Sequence, residues 1–164
     1  MRFVIMGVSG CGKTSVGEAL AAHGLLTFVD GDTLHPRSNI DKMSRGIPLG
    51  DADRWPWLAA VGQRLAAGPD PIAIGCSALA RRYRDVIRAE AMPVHFIHLF
   101  AAKAVLAKRV DARRGHFMPP ALLDSQFDAL EPLAADEDGV TIDIASSLET
   151  VIAQASAYVR EMTT

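Results

Sequence analysis

Residues 3–14 read FVIMGVSGCGKT, an apolar run that passes into glycines and ends on a lysine and a threonine. From Gly7 to Thr14 the letters fit G-x-x-x-x-G-K-[ST], the pattern of a phosphate-binding loop. A buried strand is predicted before the loop and an amphipathic helix after it. The loop's N–H groups would then lie at the positive end of that helix, where an anion binds. This stretch therefore predicts a strand, phosphate loop and helix, the opening unit of an α/β fold.

Each residue type in the loop has a physical reason. Glycine lets the backbone turn tightly and approach phosphate oxygens. Lys13 is predicted to be catalytic by neutralising the transferring phosphate, and the Thr14 hydroxyl is predicted to ligate Mg²⁺. Cys11 is either a thiol activated by the helix end or, as we favour, a small loop residue. The predicted nucleotide-binding residues of this segment are Gly7, Val8, Ser9, Gly10, Cys11, Gly12, Lys13, Thr14 and Ser15.

Outside the loop, short apolar runs alternate with segments of helical periodicity. This alternation predicts an α/β fold with a parallel sheet and helices on both faces, because parallel strands need crossover connections. We predict one domain over 1–164, with a substrate-binding insertion at about 31–70 and a lid at about 113–131. The predicted strands are Phe3–Met6, Leu25–Val29, Ile72–Cys76, Val94–Leu99 and Val140–Ile144.

Composition limits the classes of partner. The 164 residues are 49% hydrophobic and 22% charged, with a net charge of −2, as in ordinary soluble domains. Without a basic excess, the sequence predicts small-molecule partners and neither nucleic acid nor membrane. No apolar run reaches the roughly 20 residues of a spanning helix. The two cysteines cannot form a disulfide framework, and we predict a cytoplasmic location.

Two carboxylates follow the second predicted strand. Asp30 and Asp32 are two residues apart at its carboxyl end, the edge where open α/β sheets bind ligands. If the strand continues through both, they share one face. One would then order the Mg²⁺ shell while the other accepts a proton from a substrate hydroxyl. The alternative is a plain Asp-Gly turn.

Two further positions are candidate substrate contacts. Arg54 is placed where a helix begins, with Pro56 in its first turn, and arginine binds carboxylates bidentately. A surface ion pair with Asp51 or Asp53 is the alternative. Ser77 follows the third predicted strand at the same edge, where small residues leave room for a polyol.

A basic cluster precedes the predicted lid. Arg109 and Arg113 are four residues apart on a predicted helix, and an anion between them would remove their repulsion. We predict that Arg109 binds the nucleotide's phosphate chain and that Arg113 is catalytic. Gly115 would end the helix and begin the lid. A solvated basic helix end is the alternative.

Longer stretches carry a resemblance to a known family. FVDGDTLHPRSNIDKMSRGIPLGDADRWPWL, CSALARRYRD, RVDARRGHFM and SQFDALEP, together with the phosphate loop, resemble the bacterial gluconate kinases, which are relatives of shikimate and adenylate kinases. The resemblance covers roughly residues 3–160. Its most specific parts are D-G-D-x-L-H-P-x-x-N and G-H-F. The sequence departs from the family at Cys11, where serine is commoner, and at Ala52, where a third aspartate is frequent.

The resemblance implies an activity and a set of roles. The activity is ATP-dependent phosphorylation of D-gluconate to 6-phospho-D-gluconate in a homodimer, on a three-layer fold with a five-stranded parallel sheet and a lid. Asp32 would be the base and contact the substrate, and Asp30 would support the metal. His35 and Arg54 would face gluconate. ATP and Mg²⁺ are the implied cofactors.

Three other functions are weighed against this one. Phosphorylation of shikimate or another polyol acid is the nearest alternative. A guanine-specific regulatory switch would normally carry N-K-x-D, which does not occur in the sequence. A nucleic-acid motor conflicts with the small size and mildly acidic balance of the chain.

Overall fold

A five-stranded parallel sheet forms the centre of the computed structural model, which describes residues 1–112 and 120–164 and the side chains of 1–109 and 122–164. The strand order is β2-β3-β1-β4-β5, so the phosphate loop follows the central strand. The strands are β1 Arg2–Met6, β2 Thr27–Asp30, β3 Ile72–Gly75, β4 His95–Phe100 and β5 Gly139–Asp143.

Helices connect the strands and cover both faces of the sheet. A short 3-10 turn, Gly31–Leu34, follows β2 directly. The α-helices within the described residues are α1 Lys13–Ala22, α2 Arg37–Ser44, α3 Asp51–Ala67, α4 Arg81–Ala91, α5 Lys103–Ala112, α6 Pro120–Ala129 and α7 Leu148–Thr163. None of these helices is long and apolar enough to cross a membrane.

Alternate side chains of β1 pack into two separate hydrophobic cores, one on each face of the sheet. Phe3 and Ile5 pack into one buried cluster with side chains of α1 and α7. Val4 and Met6 pack into the other, with side chains of α3 and α4. All four side chains are fully buried, because a central parallel strand is covered on both faces. The predicted α/β class with five parallel strands is therefore confirmed.

One predicted helix start is wrong. We expected α3 to begin near Arg54, but it begins at Asp51, so Pro56 lies in the second turn. The Asp53 carboxylate accepts a hydrogen bond from Gly50 N over 2.9 Å and stabilises the earlier start. Asp51 and Asp53 also place negative charge at the positive end of the helix.

A buried ion pair links α4 to the segment before β5. Arg84 Nε and Nη2 lie 2.6 and 2.9 Å from the two carboxylate oxygens of Glu137, and both side chains have no exposed surface. Arg84 Nη1 also donates to the carbonyls of Ala78, Leu79 and Glu131. Burial alone would raise the pKa of Glu137, but the hydrogen bonds from Arg84 and Ala134 N, together with the charge of Arg84, lower that pKa overall.

His98 on β4 is buried without a polar partner. Its side chain is 3% exposed, and neither ring nitrogen has a hydrogen bond within the described residues. Burial, with a smaller contribution from the charge of Arg84, lowers the pKa of His98 to about 4. The folded protein therefore holds this imidazole neutral over a range in which the unfolded chain protonates it.

Acidification is expected to destabilise the protein through His98. The unfolded chain binds the extra proton as pH falls below about 6.5, while the folded chain does so only near 4. The free energy of unfolding should therefore drop by about 2 kcal/mol between pH 7 and pH 5 from this residue alone. Urea unfolding of the wild type and of His98→Gln at both pH values measures this drop in the free energy of unfolding. Equal pH dependence in the two proteins would contradict the assignment.

Candidate active site

The phosphate loop has the backbone geometry that its glycines predict. Gly7, Gly10 and Gly12 have φ of 142°, 81° and 98°, in the region that favours glycine. A Cβ at Gly7 would lie 2.7 Å from Leu99 O and 2.8 Å from Cys11 Sγ, so a side chain is also excluded by packing. Gly12 precedes α1, whose first N–H groups point into the loop.

The Lys13 ammonium lies inside the loop. Lys13 Nζ donates to the carbonyls of Gly7 and Val8 over 3.1 and 3.2 Å. These contacts fold the side chain back over the concave face formed by the loop's amides. The cation is thus positioned where the loop would receive a phosphate chain.

Gln126 of α6, which is distant from the loop in sequence, contacts the same loop through its side chain. Its Oε1 accepts from Ser9 N over 2.6 Å, and its Nε2 donates to Ser9 Oγ over 3.1 Å. The carboxamide therefore ties the loop to the helix that follows residues 113–119. Gln126 is a contact that the site prediction missed, although it lies in the SQFDALEP motif.

A cavity of about 300 Å³ lies beside the loop. Loop residues form one wall, while Arg109 and apolar side chains from the chain's last segment form the other. The Arg109 guanidinium donates to the carbonyls of Ile144 and Ser146, so it is fixed to the loop after β5. The lining residues are Gly10, Cys11, Gly12, Ser15, Arg109, Ile144, Leu148 and Val151.

Cys11 is a packed loop residue. Its side chain is 2% exposed, and burial raises the pKa of its thiol despite the opposing charge of Lys13. The helix end therefore does not produce a reactive thiolate here. The favoured interpretation of Cys11 as a small loop residue agrees with this geometry.

The two acidic residues after β2 do not share a strand face. Asp30 ends the strand, whereas Asp32 lies in the 3-10 turn, so the expected alternation does not extend to it. Instead, Asp30 Oδ1 accepts from Asp32 N over 3.0 Å and caps the turn. The expectation of a common strand face is wrong because the chain turns at Gly31. A Cβ at Gly31 would lie 2.3 Å from Gly75 O.

The turn nevertheless lies at the phosphate loop's edge of the sheet. Asp30 pairs with Gly75 in the β2–β3 register, and a Cβ on Gly75 would lie 3.9 Å from Lys13 Cβ. The Cys76 thiol, one residue after β3, is buried. Burial raises its pKa to about 12, with Lys13 acting in the opposite direction and Asp32 in the same direction. The acidic turn and the lysine thus face a common region.

Ser77 connects the third strand to the phosphate loop through its backbone. Its carbonyl oxygen accepts a hydrogen bond from Gly7 N over 3.2 Å. The predicted contact of Ser77 with a substrate stays a prediction, but the segment does lie at the same sheet edge.

Arg54 belongs to a charged cluster with α4. Its Nη1 lies 3.6 Å from Asp51 Oδ1 and 3.2 Å from Tyr83 Oη. The guanidinium groups of Arg54 and Arg82 both lie over the ring of Tyr83, 5.4 and 4.6 Å from its centroid. The hydrogen bond from Tyr83, followed by that from Arg82, lowers the pKa of Asp51. Arg54 therefore makes the alternative ion pair with Asp51 while about a third of its side chain remains exposed.

His35 follows the acidic turn and is fixed by its neighbours. Its ring stacks on Trp57, and its Nδ1 lies 3.2 Å from Asn39 Nδ2. Burial lowers the pKa of His35, although the charge of Asp32 acts in the opposite direction. Arg113, predicted as catalytic, lies outside the described residues, as does the first part of the predicted lid.

The oxygen donors of the site suit a hard cation. Mg²⁺ usually takes one or two protein oxygens and completes its shell with phosphates and water. Thr14 and Asp30 offer a hydroxyl and a carboxylate at this edge of the sheet. In the described part of the chain, no group of three or more His, Cys, Asp or Glu side chains could hold a metal ion. A hydroxyl and a carboxylate fit a cation that takes its other ligands from phosphate and water.

The fold and the loop together define a class of protein. A phosphate loop after the central strand of a five-stranded parallel sheet, with an acidic turn beside it, is the arrangement of a P-loop kinase. A comparison with models of protein families gives no match. A shikimate kinase from Aquifex aeolicus has the same fold, with a TM-score of 0.60 at 14% identity, over 99% of this chain and 98% of that one.

Closer relatives give the family. The chain is 47% identical over 156 residues to a thermosensitive gluconokinase of Escherichia coli strain K12, covering 93% of this chain and 83% of the relative. A crystal structure of a gluconokinase from Sinorhizobium meliloti 1021 matches with a TM-score of 0.89 and 47% identity, over 98% of this chain and 92% of that one. This chain belongs to the gluconokinase family.

Proposed function

We propose that this protein transfers the γ-phosphoryl group of ATP to the terminal hydroxyl of D-gluconate and releases 6-phospho-D-gluconate and ADP. The observation that carries the proposal is that Asp30 pairs with Gly75, which lies beside Lys13, so the acidic turn and the phosphate loop share one edge of the sheet. A phosphate donor and a hydroxyl acceptor would then face each other. The names of the relatives support gluconate as the acceptor.

The donor side is built from the phosphate loop and the cavity beside it. The amides of the loop and of the first turn of α1 bind the phosphate oxygens, and Lys13 neutralises charge on the transferring group. The cavity lined by Arg109 and Ile144 receives the nucleotide's base. Leu148 and Val151 supply the apolar part of that surface.

The acceptor side is built from the turn and its neighbours. Asp32 accepts the proton of the attacking hydroxyl. Asp30 holds the turn through its bond to Asp32 N and, with Thr14, provides oxygens for Mg²⁺. When bound, Mg²⁺ supplies positive charge to the phosphate oxygens. Ser77 and His35 contact the polyol chain of gluconate. Arg113, in the predicted lid, assists phosphoryl transfer.

Arg54 is the proposed ligand of the gluconate carboxylate. Replacing it with alanine should raise the KM for gluconate by about tenfold to a hundredfold, the scale of hydrogen bonds to a charged group. The KM for ATP should change little. Initial rates with each substrate varied in turn measure both constants. The matched control is Arg37→Ala, because Arg37 is 88% exposed and, among the described residues, its side chain pairs with Asp41 alone. An equal rise in both KM values would assign Arg54 a structural role.

Two further properties are proposed from the family resemblance. The protein works as a homodimer, which the sedimentation of the purified chain tests against the 17.6 kDa monomer. It is proposed to act in the cytoplasm, which agrees with the two free, buried cysteines.

The acceptor assignment is tested with a panel of substrates. ADP release is coupled to a spectroscopic readout and followed with gluconate, shikimate, glucose and nucleosides in separate reactions. Gluconate should give the strongest stimulation. Stimulation by shikimate or another polyol acid without a response to gluconate would replace the substrate while keeping the kinase class. ADP release that no acceptor changes would favour a nucleotide switch.

A further inference from the structure

The ring of His35 is fixed by an aromatic stack. It lies on the indole of Trp57, with ring centroids 4.1 Å apart and planes inclined by 16°. The Trp57 Nε1–H donates to Gly31 O over 2.8 Å, so the stack is tied to the turn that carries Asp32. Because one face of the imidazole is covered, its polar contacts are made through the ring edge.

Asn39 binds that edge from a buried position. The Asn39 side chain is 1% exposed, and its Nδ2 lies 2.8 Å from Asp53 O and 3.2 Å from His35 Nδ1. A carbonyl oxygen can only accept a hydrogen bond, so the atom facing Asp53 O must be the NH₂ group. This contact fixes the orientation of the amide. The second hydrogen of the same NH₂ group is then donated to His35 Nδ1.

The backbone partner of Asn39 is itself held in place. The Asp53 carboxylate accepts from Lys42 Nζ over 2.7 and 2.9 Å and from Gly50 N over 2.9 Å. These contacts join α2 to the first turn of α3. The position of Asp53 O, and through it the orientation of Asn39, therefore does not depend on a bound substrate.

The contact decides which nitrogen of His35 carries the proton. A ring nitrogen that accepts a hydrogen bond cannot hold a proton, so a neutral His35 is protonated at Nε2. Among the residues whose side chains the structure describes, Nε2 has no hydrogen-bond partner. We propose that Asn39 is a positioning residue that fixes His35 as the Nε2–H tautomer, so that His35 donates to an oxygen of the sugar acid and does not accept its proton.

This assignment gives Asp32 and His35 different roles on the acceptor side of the site. Proton acceptance belongs to Asp32 alone, and His35 acts as a directional donor that recognises a hydroxyl or carboxylate oxygen. Donation to gluconate rests on the proposed function, whereas the tautomer does not. The two are therefore measured separately.

The tautomer is tested by NMR of the ¹⁵N-labelled protein. Long-range ¹H–¹⁵N spectra distinguish protonated from unprotonated imidazole nitrogens, and His35→Gln identifies the His35 signals by their loss. At pH 7, His35 should be protonated at Nε2 and unprotonated at Nδ1. A proton on Nδ1 in the wild type would overturn the proposal, whatever the variants do.

The role of Asn39 is tested with Asn39→Asp. A carboxylate cannot donate to His35 Nδ1 and instead accepts from it, so Nδ1 should become protonated. The KM for gluconate should rise roughly tenfold, the scale of one hydrogen bond, with the KM for ATP unchanged. Ser38→Asp is the control, because it adds the same charge at the exposed neighbouring position. It should leave the tautomer of His35 unchanged. An unchanged tautomer in Asn39→Asp would overturn the role of Asn39.

Donation to the substrate is tested on the wild type. Gluconate should shift the His35 Nε2 signal, and His35→Gln, which keeps an N–H donor, should retain more activity than His35→Glu. If gluconate is phosphorylated while the Nε2 signal stays unchanged, the donor role is wrong. If gluconate is not phosphorylated, the proposed function fails, and the tautomer measurement still decides the role of Asn39.

Discussion

Asp32→Asn is expected to lower kcat by about a hundredfold or more, the usual contribution of a general base. The amide keeps the size of the side chain but cannot take the proton of the attacking hydroxyl. The fold of the turn should survive, because Asp30 Oδ1 binds the backbone N–H of residue 32 and not its side chain. Binding of ATP should therefore persist. Turnover in the coupled assay and ATP affinity by calorimetry measure the two effects.

Two variants serve as references for this loss. Asp41→Asn removes an exposed carboxylate whose one ion-pair partner in the described part of the chain is Arg37, so its kcat should stay near the wild-type value. Asp30→Asn distinguishes the roles of the two acidic residues, because the loss of a metal ligand should raise the Mg²⁺ concentration needed for activity. Near-normal turnover of Asp32→Asn would remove that residue from the role of base. A shift in Mg²⁺ requirement for Asp32→Asn alone would exchange the two assignments.

Glu137→Gln is expected to cost about 3–5 kcal/mol of the free energy of unfolding, the usual loss when one partner of a buried ion pair is removed. Both side chains of the Arg84–Glu137 pair have no exposed surface. The neutral amide would leave the guanidinium buried without a countercharge. Glu137 Oε2 also accepts from Ala134 N over 2.9 Å, and the single carbonyl oxygen of glutamine cannot accept at both oxygen positions of the carboxylate. Urea denaturation at pH 7 measures the loss.

A neighbouring pair provides the matched control. Asp136 accepts two hydrogen bonds from Arg81 over 2.7 and 2.6 Å, but its side chain is 62% exposed. Asp136→Asn should therefore change the free energy of unfolding far less than Glu137→Gln does, because exposed ion pairs contribute little to stability. A loss in Glu137→Gln no larger than in Asp136→Asn would contradict the account of the buried pair.

The sheet and the phosphate loop could be predicted from the sequence because both depend on local patterns. An apolar run long enough for a buried strand, followed by G-x-x-x-x-G-K-T, is decided by residues close in the chain. The sequence also marked Asp30 and Asp32, since charged residues at the ends of parallel strands meet at one edge, and Arg54, since arginine near a helix start can bind a carboxylate. Their geometry was not predictable to the same degree. The chain leaves the strand at Gly31, where the close approach of Gly75 O leaves no room for a Cβ, and this contact across β2 and β3 is not visible in the sequence.

Contacts between distant segments escaped the sequence interpretation. Gln126 binds Ser9 across 117 residues, and Glu137 pairs with Arg84 across 53. Neither partner carries a local signal, because glutamine and glutamate are ordinary on helix surfaces and in loops. Asn39 was visible as a letter of the D-G-D-x-L-H-P-x-x-N stretch. Its role needed the position of Asp53 O, which only the packing of α2 against α3 supplies.

The most direct test of the proposed reaction is the structure of its product. Purified protein is incubated with ATP, Mg²⁺ and D-gluconate, and the mixture is followed by ³¹P NMR with proton coupling. A phosphate ester at the terminal carbon should give a triplet, because two methylene protons couple to the phosphorus, and its intensity should grow with that of ADP. A doublet would place the phosphate on a secondary hydroxyl. ADP formation without any sugar phosphate signal would contradict the assignment of this chain as a kinase of gluconate.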